Sequence, residues 1–230
     1  DTHKGLMNRV YHWVRRVMLA RKARLVKHNS RLNQGSLLDI GTGTGYFPHF
    51  MQERGWHVSA IEKSPQARQF AKEHFELDVA APEALNEFAD KSFDVITLWH
   101  VMEHLEHLNE TWETLKRILK DQGILIIAVP NPTSFDAEKY KEMWGAYDVP
   151  RHLWHFSPSV MQQFGAKHDF ILCERHPMPF DAFYVSMLSE KYRKSAFPFL
   201  KGLIAGTEAW IVSLAKKDRS SSMIYVFRKK

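Results

Sequence analysis

Only one cysteine, Cys173, stands among the 230 residues. That excludes a disulfide framework and suits a reducing compartment. No apolar run approaches the roughly 18–20 residues needed to span a bilayer. The N-terminal stretch lacks the basic head, apolar core and small-residue cleavage site of a secretory signal. A cytoplasmic location is therefore expected. Internal repeats and low-complexity segments are missing too. Acid is missing locally: between Thr2 and Arg31 there are nine basic residues (Lys4, Arg9, Arg15, Arg16, Arg21, Lys22, Arg24, Lys27, Arg31) and no Asp or Glu. Of the net charge of +6, the rest of the chain after Arg31 contributes −2. Such a basic segment can meet nucleic acid, an anionic membrane surface or an anionic substrate, or can simply be a solvated helix face.

What is present suffices for a full core. With 44% hydrophobic and 13% aromatic residues, the chain can form one α/β domain with embellishments. Residues 4–28 read as an amphipathic helix, with Met7, Val10, Tyr11, Val14, Val17, Met18 and Leu25 at helical spacing. From Gly35 short apolar runs alternate with helical stretches, the pattern of βα units around a parallel sheet. Strands are expected at Ser36–Ile40, His57–Glu62, Glu76–Val79 (weak), Phe93–Trp99 and Gly123–Val129 (central), with Phe170–Arg175 and Met223–Arg228 last. Helices are expected at Tyr46–Arg54, after the Ser64-Pro65 cap to about His74, from an Asn109 cap to Lys120, near Phe135–Met143, and after Ser157-Pro158 to about Phe164.

The fold class expected is α/β, doubly wound, with a mostly parallel seven-stranded sheet and a final antiparallel strand. A basic helical segment over residues 1–34 precedes a Rossmann-like domain over 35–230. Two embellishments mark that domain: a substrate lid at about 132–156 and an insertion at about 180–218, with an apolar helix near Phe199–Leu214.

The segment Leu37-Leu38-Asp39-Ile40-Gly41-Thr42-Gly43-Thr44-Gly45-Tyr46-Phe47 carries the chemistry. Its three glycines let the chain turn sharply out of a strand and let a ligand approach the backbone. Glu62 lies 21 residues past Gly41, ending the second strand. A carboxylate there can accept hydrogen bonds from vicinal ribose hydroxyls. A dinucleotide site usually shows a further glycine where this chain has Tyr46, which disfavours an NAD-dependent oxidoreductase. S-adenosylmethionine has no pyrophosphate, but its amino group and sulfonium favour a nearby acceptor such as Asp39.

The run Leu37–Phe47 resembles the first motif of class I S-adenosylmethionine-dependent methyltransferases. Phe93-Asp94-Val95-Ile96 through Leu98-Trp99-His100-Val101-Met102-Glu103-His104-Leu105 resembles their fourth-strand motif. Leu119-Lys120-Asp121-Gln122-Gly123 with Ile126-Ile127-Ala128-Val129-Pro130-Asn131 resembles their fifth-strand segment. Together these cover roughly residues 35–131, in order. Within that class the chain is similar to the small-molecule methyltransferases of the ubiquinone and menaquinone type. The resemblance implies that Gly41, Thr42, Gly43 and Gly45 line the methionine moiety. Glu62 would hold the ribose with Lys63 beside it, and Trp99 and His100 would border the sulfonium. The family commonly has an Asp after the third strand; here Ala80-Ala81-Pro82-Glu83 stands instead, leaving adenine to Ala81 backbone and Glu83.

His100-Val101-Met102-Glu103-His104 also fits the H-x-x-E-H zinc pattern, which needs both histidines on one long helix. A strand ends at Trp99 and the same residues answer the methyltransferase motif, so no metal is expected. Substrate chemistry is expected in Trp144-Gly145-Ala146-Tyr147-Asp148-Val149-Pro150-Arg151-His152-Leu153-Trp154-His155-Phe156, because ligands sit beyond the C-terminal strand ends. His152, ahead of His155, is the candidate general base. Trp144, Tyr147, Asp148 and Arg151 are the candidate substrate-binding residues, although Asp148 and Arg151 can equally pair with each other.

The insertion carries Phe183, Tyr184, Phe197, Phe199, Leu200, Leu203, Ile204, Trp210, Ile211 and Leu214. A core role against the sheet is the ordinary expectation; roofing an apolar pocket, a dimer contact or a peripheral membrane contact are the others. The function expected is methyl transfer from S-adenosylmethionine to a small-molecule, conceivably lipid-like acceptor. The alternatives are an RNA or protein methyltransferase and a non-catalytic cofactor-binding protein. The sequence lacks an Asn-Pro-Pro-Tyr-like base-methylation motif, and one cysteine cannot support a two-cysteine mechanism.

Overall fold

The computed structural model describes residues 2–230, with side chains from residue 12 onward. The strands are β1 (Ser36–Ile40), β2 (His57–Ile61), β3 (Val79–Ala80), β4 (Phe93–Trp99), β5 (Leu119–Pro130), β6 (Phe170–Pro177) and β7 (Ser222–Lys229). They form one seven-stranded sheet in the order β3-β2-β1-β4-β5-β7-β6. β1 pairs in parallel with β2, and β2 with β3. β7 runs antiparallel to both β5 and β6. This is the expected class, a mostly parallel sheet with a final antiparallel strand. Among the described residues the α-helices are α1 (Thr2–Ser30), α2 (Tyr46–Gln52), α3 (Pro65–Phe75), α4 (Leu108–Ile118), α5 (Phe135–Tyr140), α6 (Pro158–Lys167), α7 (Asp181–Tyr192) and α8 (Pro198–Ala215).

The chain divides into two compact units. One comprises Asp1–Thr97 with Arg117–Ile124, the other Leu98–Lys116 with Leu125–Lys230. In the first, Leu37, Leu38 and Val95 are completely buried, as strands covered on both faces require. The Ser64 hydroxyl caps α3 by accepting from the Ala67 N–H, and Pro65 occupies the first turn. In α1 the buried residues among those described are Ala23, Val26 and Asn29. The expected stripe is thereby displaced: Val14 is 42% exposed, while Val17, Met18 and Leu25 are half-buried. The side chains of Met7, Val10, Tyr11, Lys4 and Arg9 lie outside the described residues.

The second unit is built around Trp112, fully buried on α4. Its indole meets Phe164, Phe170 and Phe227 edge-on at centroid distances of 5.3–5.5 Å. Asn109 does not cap α4. The helix starts one residue earlier, and Asn109 Oδ1 instead receives Lys167 Nζ at 3.3 Å and His168 Nε2 at 3.1 Å.

The insertion is a helical pair. The buried face of α8 is Gly202, Ala205, Gly206, Ala209 and Ser213. A Cβ on Gly202 would stand 2.6 Å from Met187 Cα, and one on Gly206 2.8 Å from Phe183 Cα. The glycines therefore admit α7 at close range. The large apolar residues point the other way, with Phe199 70%, Leu200 56%, Ile204 54%, Ile211 56% and Leu214 62% exposed. This overturns the expected core role: small residues bury and large ones face outward. Among the described residues, no helix is long and apolar enough to cross a membrane.

Candidate functional site

Two groups of chemistry-bearing residues stand out, each within one unit. In the first, β1 ends at Ile40 and the chain bends through Gly41, Gly43 and Gly45, all at positive φ (69°, 57° and 82°). The N–H groups of Gly41 and Thr42 both donate to the Ile61 carbonyl, at 2.8 and 3.0 Å, tying the bend to the end of β2. A Cβ on Gly45 would come within 2.9 Å of Ala71 Cβ, so this glycine permits close approach of α3. A Cβ on Gly43 would meet nothing within 4 Å. That glycine borders an open cradle, not a tight contact.

Glu62 faces this cradle. Its Oε2 accepts the Gly43 N–H at 2.7 Å and its Oε1 the Ser64 N–H at 2.8 Å. A carboxylate offers about four acceptor positions, so two remain for a ligand. Arg68 anchors the segment by donating to the carbonyls of Glu62 and Lys63 at 2.8 and 3.1 Å. Asp39 is 2% exposed and accepts the Thr97 hydroxyl at 2.6 Å. Burial pushes its pKa up to about 6, against the pull of that hydrogen bond. Lys63 and Glu83 are exposed, and the Ala81 carbonyl is taken by the Ala84 N–H at 3.1 Å. A depression of about 360 Å³ lined by Ser36, His57 and Phe93 lies at the N-terminal ends of β1, β2 and β4. Ligands of open α/β sheets bind at the other ends.

In the second unit, His100 follows β4 with φ +58°. Its Nδ1 contacts Glu103 Oε1 at 3.3 Å and its Nε2 contacts Asp181 Oδ2 at 3.0 Å. Burial opposes charge on the ring, but the two carboxylates prevail and raise its pKa to about 10. His100 is accordingly an imidazolium donating to both. Glu103 is 1% exposed. Its carbonyl accepts the N–H groups of Leu153 and Trp154 at 2.8 and 3.3 Å, which ties down the segment after β5.

Residues 10–173 match the methyltransferase domain family. The chain belongs to this family. An uncharacterized methyltransferase of Staphylococcus carnosus is 33% identical over 111 residues, 47% of this chain and 52% of that protein. A ubiquinone biosynthesis O-methyltransferase of Pelagibacter ubique is 34% identical over 104 residues, 42% of each chain. The chain spans about half the length of the curated relatives it matches first. An S-adenosylmethionine-dependent methyltransferase structure from Archaeoglobus fulgidus shares the fold, with a TM-score of 0.60 and 19% identity over 94% of each chain.

Within this methyltransferase domain the other candidate residues take distinct places. Trp144, expected to face substrate, is a core residue 1% exposed, and its indole N–H donates to the buried Asp136 at 2.8 Å. Tyr147 packs edge-on against Trp144 and His155, each at 5.1 Å. Arg151 Nη2 donates to Asp148 Oδ1 at 2.7 Å. The two side chains are thus paired, and this pairing raises the Arg151 pKa further. His152 is held by Ala146 O at 2.8 Å, with its side chain 10% exposed. His155 is exposed, and burial of part of its ring together with the nearby His152 lowers its pKa. Trp99 is the last residue of β4 and is 9% exposed.

Sequence reasoning missed Thr97, Ser64 as a partner of Glu62, and Asp181. Thr97 had a signal, being the one hydroxyl inside the apolar run of β4. Asp181 had none, since it lies 81 residues from His100.

Proposed function

We propose that this methyltransferase chain transfers a methyl group from S-adenosylmethionine to a small apolar acceptor. The observation that carries the reading is Glu62, fixed at 2.7 Å on the N–H of a glycine whose missing side chain leaves open space. Bound S-adenosylmethionine supplies a methyl group activated by a sulfonium. Glu62 accepts from the ribose hydroxyls without having to reorient, because two backbone N–H groups already hold it. Gly41, Thr42, Gly43 and Gly45 present backbone to the methionine portion, and Asp39 supplies negative charge for its cationic end. Lys63, Ala81 and Glu83 border the nucleoside; His100, an imidazolium held by Glu103 and Asp181, is unsuited to border a sulfonium.

Segment 132–156 serves as the acceptor lid. Tyr147 and the Asp148–Arg151 pair orient the acceptor, and Trp144 braces them from the core. Of the two histidines first considered as base, His155 fits better. The His152 side chain is only 10% exposed, whereas His155 is open to an incoming acceptor and the partial burial of its ring lowers its pKa, which keeps it neutral. Orientation of the acceptor contributes on the order of 7–11 kcal/mol to such displacements, so a modest base suffices.

An apolar acceptor is favoured by the outward face of α8, where Phe199, Leu200, Ile204 and Ile211 offer a surface for a lipid-like tail or a peripheral membrane contact. The ubiquinone biosynthesis O-methyltransferases among the relatives point the same way. Action in the cytosol accords with the single reduced cysteine. Calorimetric titration with S-adenosylmethionine, followed by an acceptor screen read out as S-adenosylhomocysteine, tests the proposal. Micromolar cofactor binding with turnover on phenolic or polyprenyl acceptors is expected. Cofactor binding without product from any acceptor would leave a non-catalytic binding protein instead.

A further inference from the structure

We propose that Glu103, His104 and His152 form a binding site for a divalent transition-metal ion of the zinc type. One ligand atom from each of the three lies within 4.8 Å of the others. The pair that the H-x-x-E-H spacing would join is not the pair that the fold joins. His100 turns to Asp181, while His104 meets His152 ring edge to ring face, 4.6 Å between centroids.

The tautomers suit a cation. His104 Nδ1 contacts the Arg151 carbonyl at 2.9 Å and His152 Nδ1 the Ala146 carbonyl at 2.8 Å. A carbonyl oxygen only accepts, so each Nδ1 carries the proton and each Nε2 is left with its lone pair. Metal-bound histidines are oriented by this kind of backbone acceptor. His152 Nε2 stands 3.9 Å from Asp148 Oδ2, too far for a hydrogen bond to claim it.

Glu103 supplies an independent observation. It is 1% exposed; Oε1 is engaged by His100, but the buried Oε2 has no hydrogen-bond partner. A buried carboxylate oxygen without a donor is strongly disfavoured unless a cation takes its place. Two imidazole nitrogens and one carboxylate oxygen suit zinc and its neighbours, whereas magnesium and calcium prefer oxygen throughout. Zinc–ligand bonds of about 2.0–2.2 Å would draw the three groups together by roughly an ångström. His104, the exposed member, is placed to make that move. The ion would staple the turn after β4, which carries Glu103 and His104, to the lid, which carries His152.

The test uses the full chain stripped with EDTA and titrated with zinc chloride, with cobalt chloride as the spectroscopic probe and magnesium chloride as control. One zinc per chain is expected, with visible d–d absorption for cobalt, no response to magnesium, and slower tryptic cleavage after the exposed Arg151. His104→Ala, which keeps its native circular dichroism because the residue is exposed, weakens zinc at least tenfold. Glu103→Gln, of the same shape, does likewise. Zinc affinity unchanged in His104→Ala, or no zinc bound by the wild-type chain at micromolar concentration, overturns the proposal.

Discussion

The Thr97 hydroxyl donates to Asp39 at 2.6 Å across two neighbouring strands, at a site where Asp39 is 2% exposed. One hydrogen bond does not compensate the burial of a carboxylate, and the pKa rises from 3.8 to about 6. An acid whose folded pKa is raised destabilises the fold when ionised. The cost is absent below pH 3.8, grows between 3.8 and about 6, and is complete above. It amounts to about 3 kcal/mol at most. Asp39→Asn keeps an acceptor for Thr97 and removes the charge. The variant should melt several degrees above the wild type at pH 7.5 and together with it at pH 4, while binding S-adenosylmethionine more weakly. Thermal melts across pH 4–8 check this, and a melting difference independent of pH would count against it.

Glu62 makes the complementary case. Its two hydrogen bonds from Gly43 and Ser64 leave the outward lone pairs for ligand. Charge-assisted hydrogen bonds contribute roughly 1.5–3 kcal/mol each. Glu62→Ala should therefore raise the cofactor dissociation constant by about 10- to 100-fold or more. Isothermal titration reads the change directly, and an unchanged constant would remove Glu62 from the cofactor site.

The glycines at 43 and 45 share a backbone conformation but differ in surroundings, which separates ligand from fold. An alanine at either accepts left-handed strain of roughly 1–2 kcal/mol. At Gly43 the methyl enters open space, whereas at Gly45 it comes within 2.9 Å of Ala71 Cβ. Gly43→Ala should fold with a small loss of stability and bind cofactor poorly. Gly45→Ala should lose more stability by the added overlap. Denaturant unfolding paired with cofactor titration resolves the two; equal losses in both assays would refute the distinction.

These contrasts bear on what could be read before the fold was known. Strand limits were legible at Ser36–Ile40 and Phe93–Trp99, both recovered to the residue, but not at β5, which starts at Leu119 instead of Gly123 and takes Leu119 and Lys120 from the end expected for α4. The bend and the position of Glu62 were legible because consecutive parallel strands make that geometry local. Trp144 was misplaced because tryptophan density in a loop looks the same whether the ring faces solvent or a buried Asp136. The outward face of α8 was misplaced because apolar periodicity does not say which side packs; only the glycine seam that α8 sets against α7 does. The meeting of His104 with His152 depends on how the lid returns, which no local pattern encodes.

That seam yields a prediction of its own. Gly202→Ala drives a methyl to 2.6 Å from the Met187 backbone and should cost a few kcal/mol by overpacking. Ile204→Glu, on the exposed face, should change stability by no more than about 0.5 kcal/mol. If that face receives an apolar acceptor, Ile204→Glu raises KM for long-chain acceptors and leaves short-chain ones alone. A KM rise shared equally by short and long acceptors would speak against the surface.

His155 decides whether the lid carries chemistry. Its ring packs on Tyr147, and its lowered pKa keeps it neutral and able to take a proton. General-base assistance is worth about 10²- to 10⁴-fold where the acceptor must lose a proton. His155→Ala should lower kcat toward the smaller of these factors, because orientation persists, while the cofactor constant stays within twofold. His155→Gln, which can hydrogen-bond but not take a proton, should not restore the rate. Recovery by Gln would make His155 a positioning residue and move the proton acceptor to water or to the acceptor's own anion.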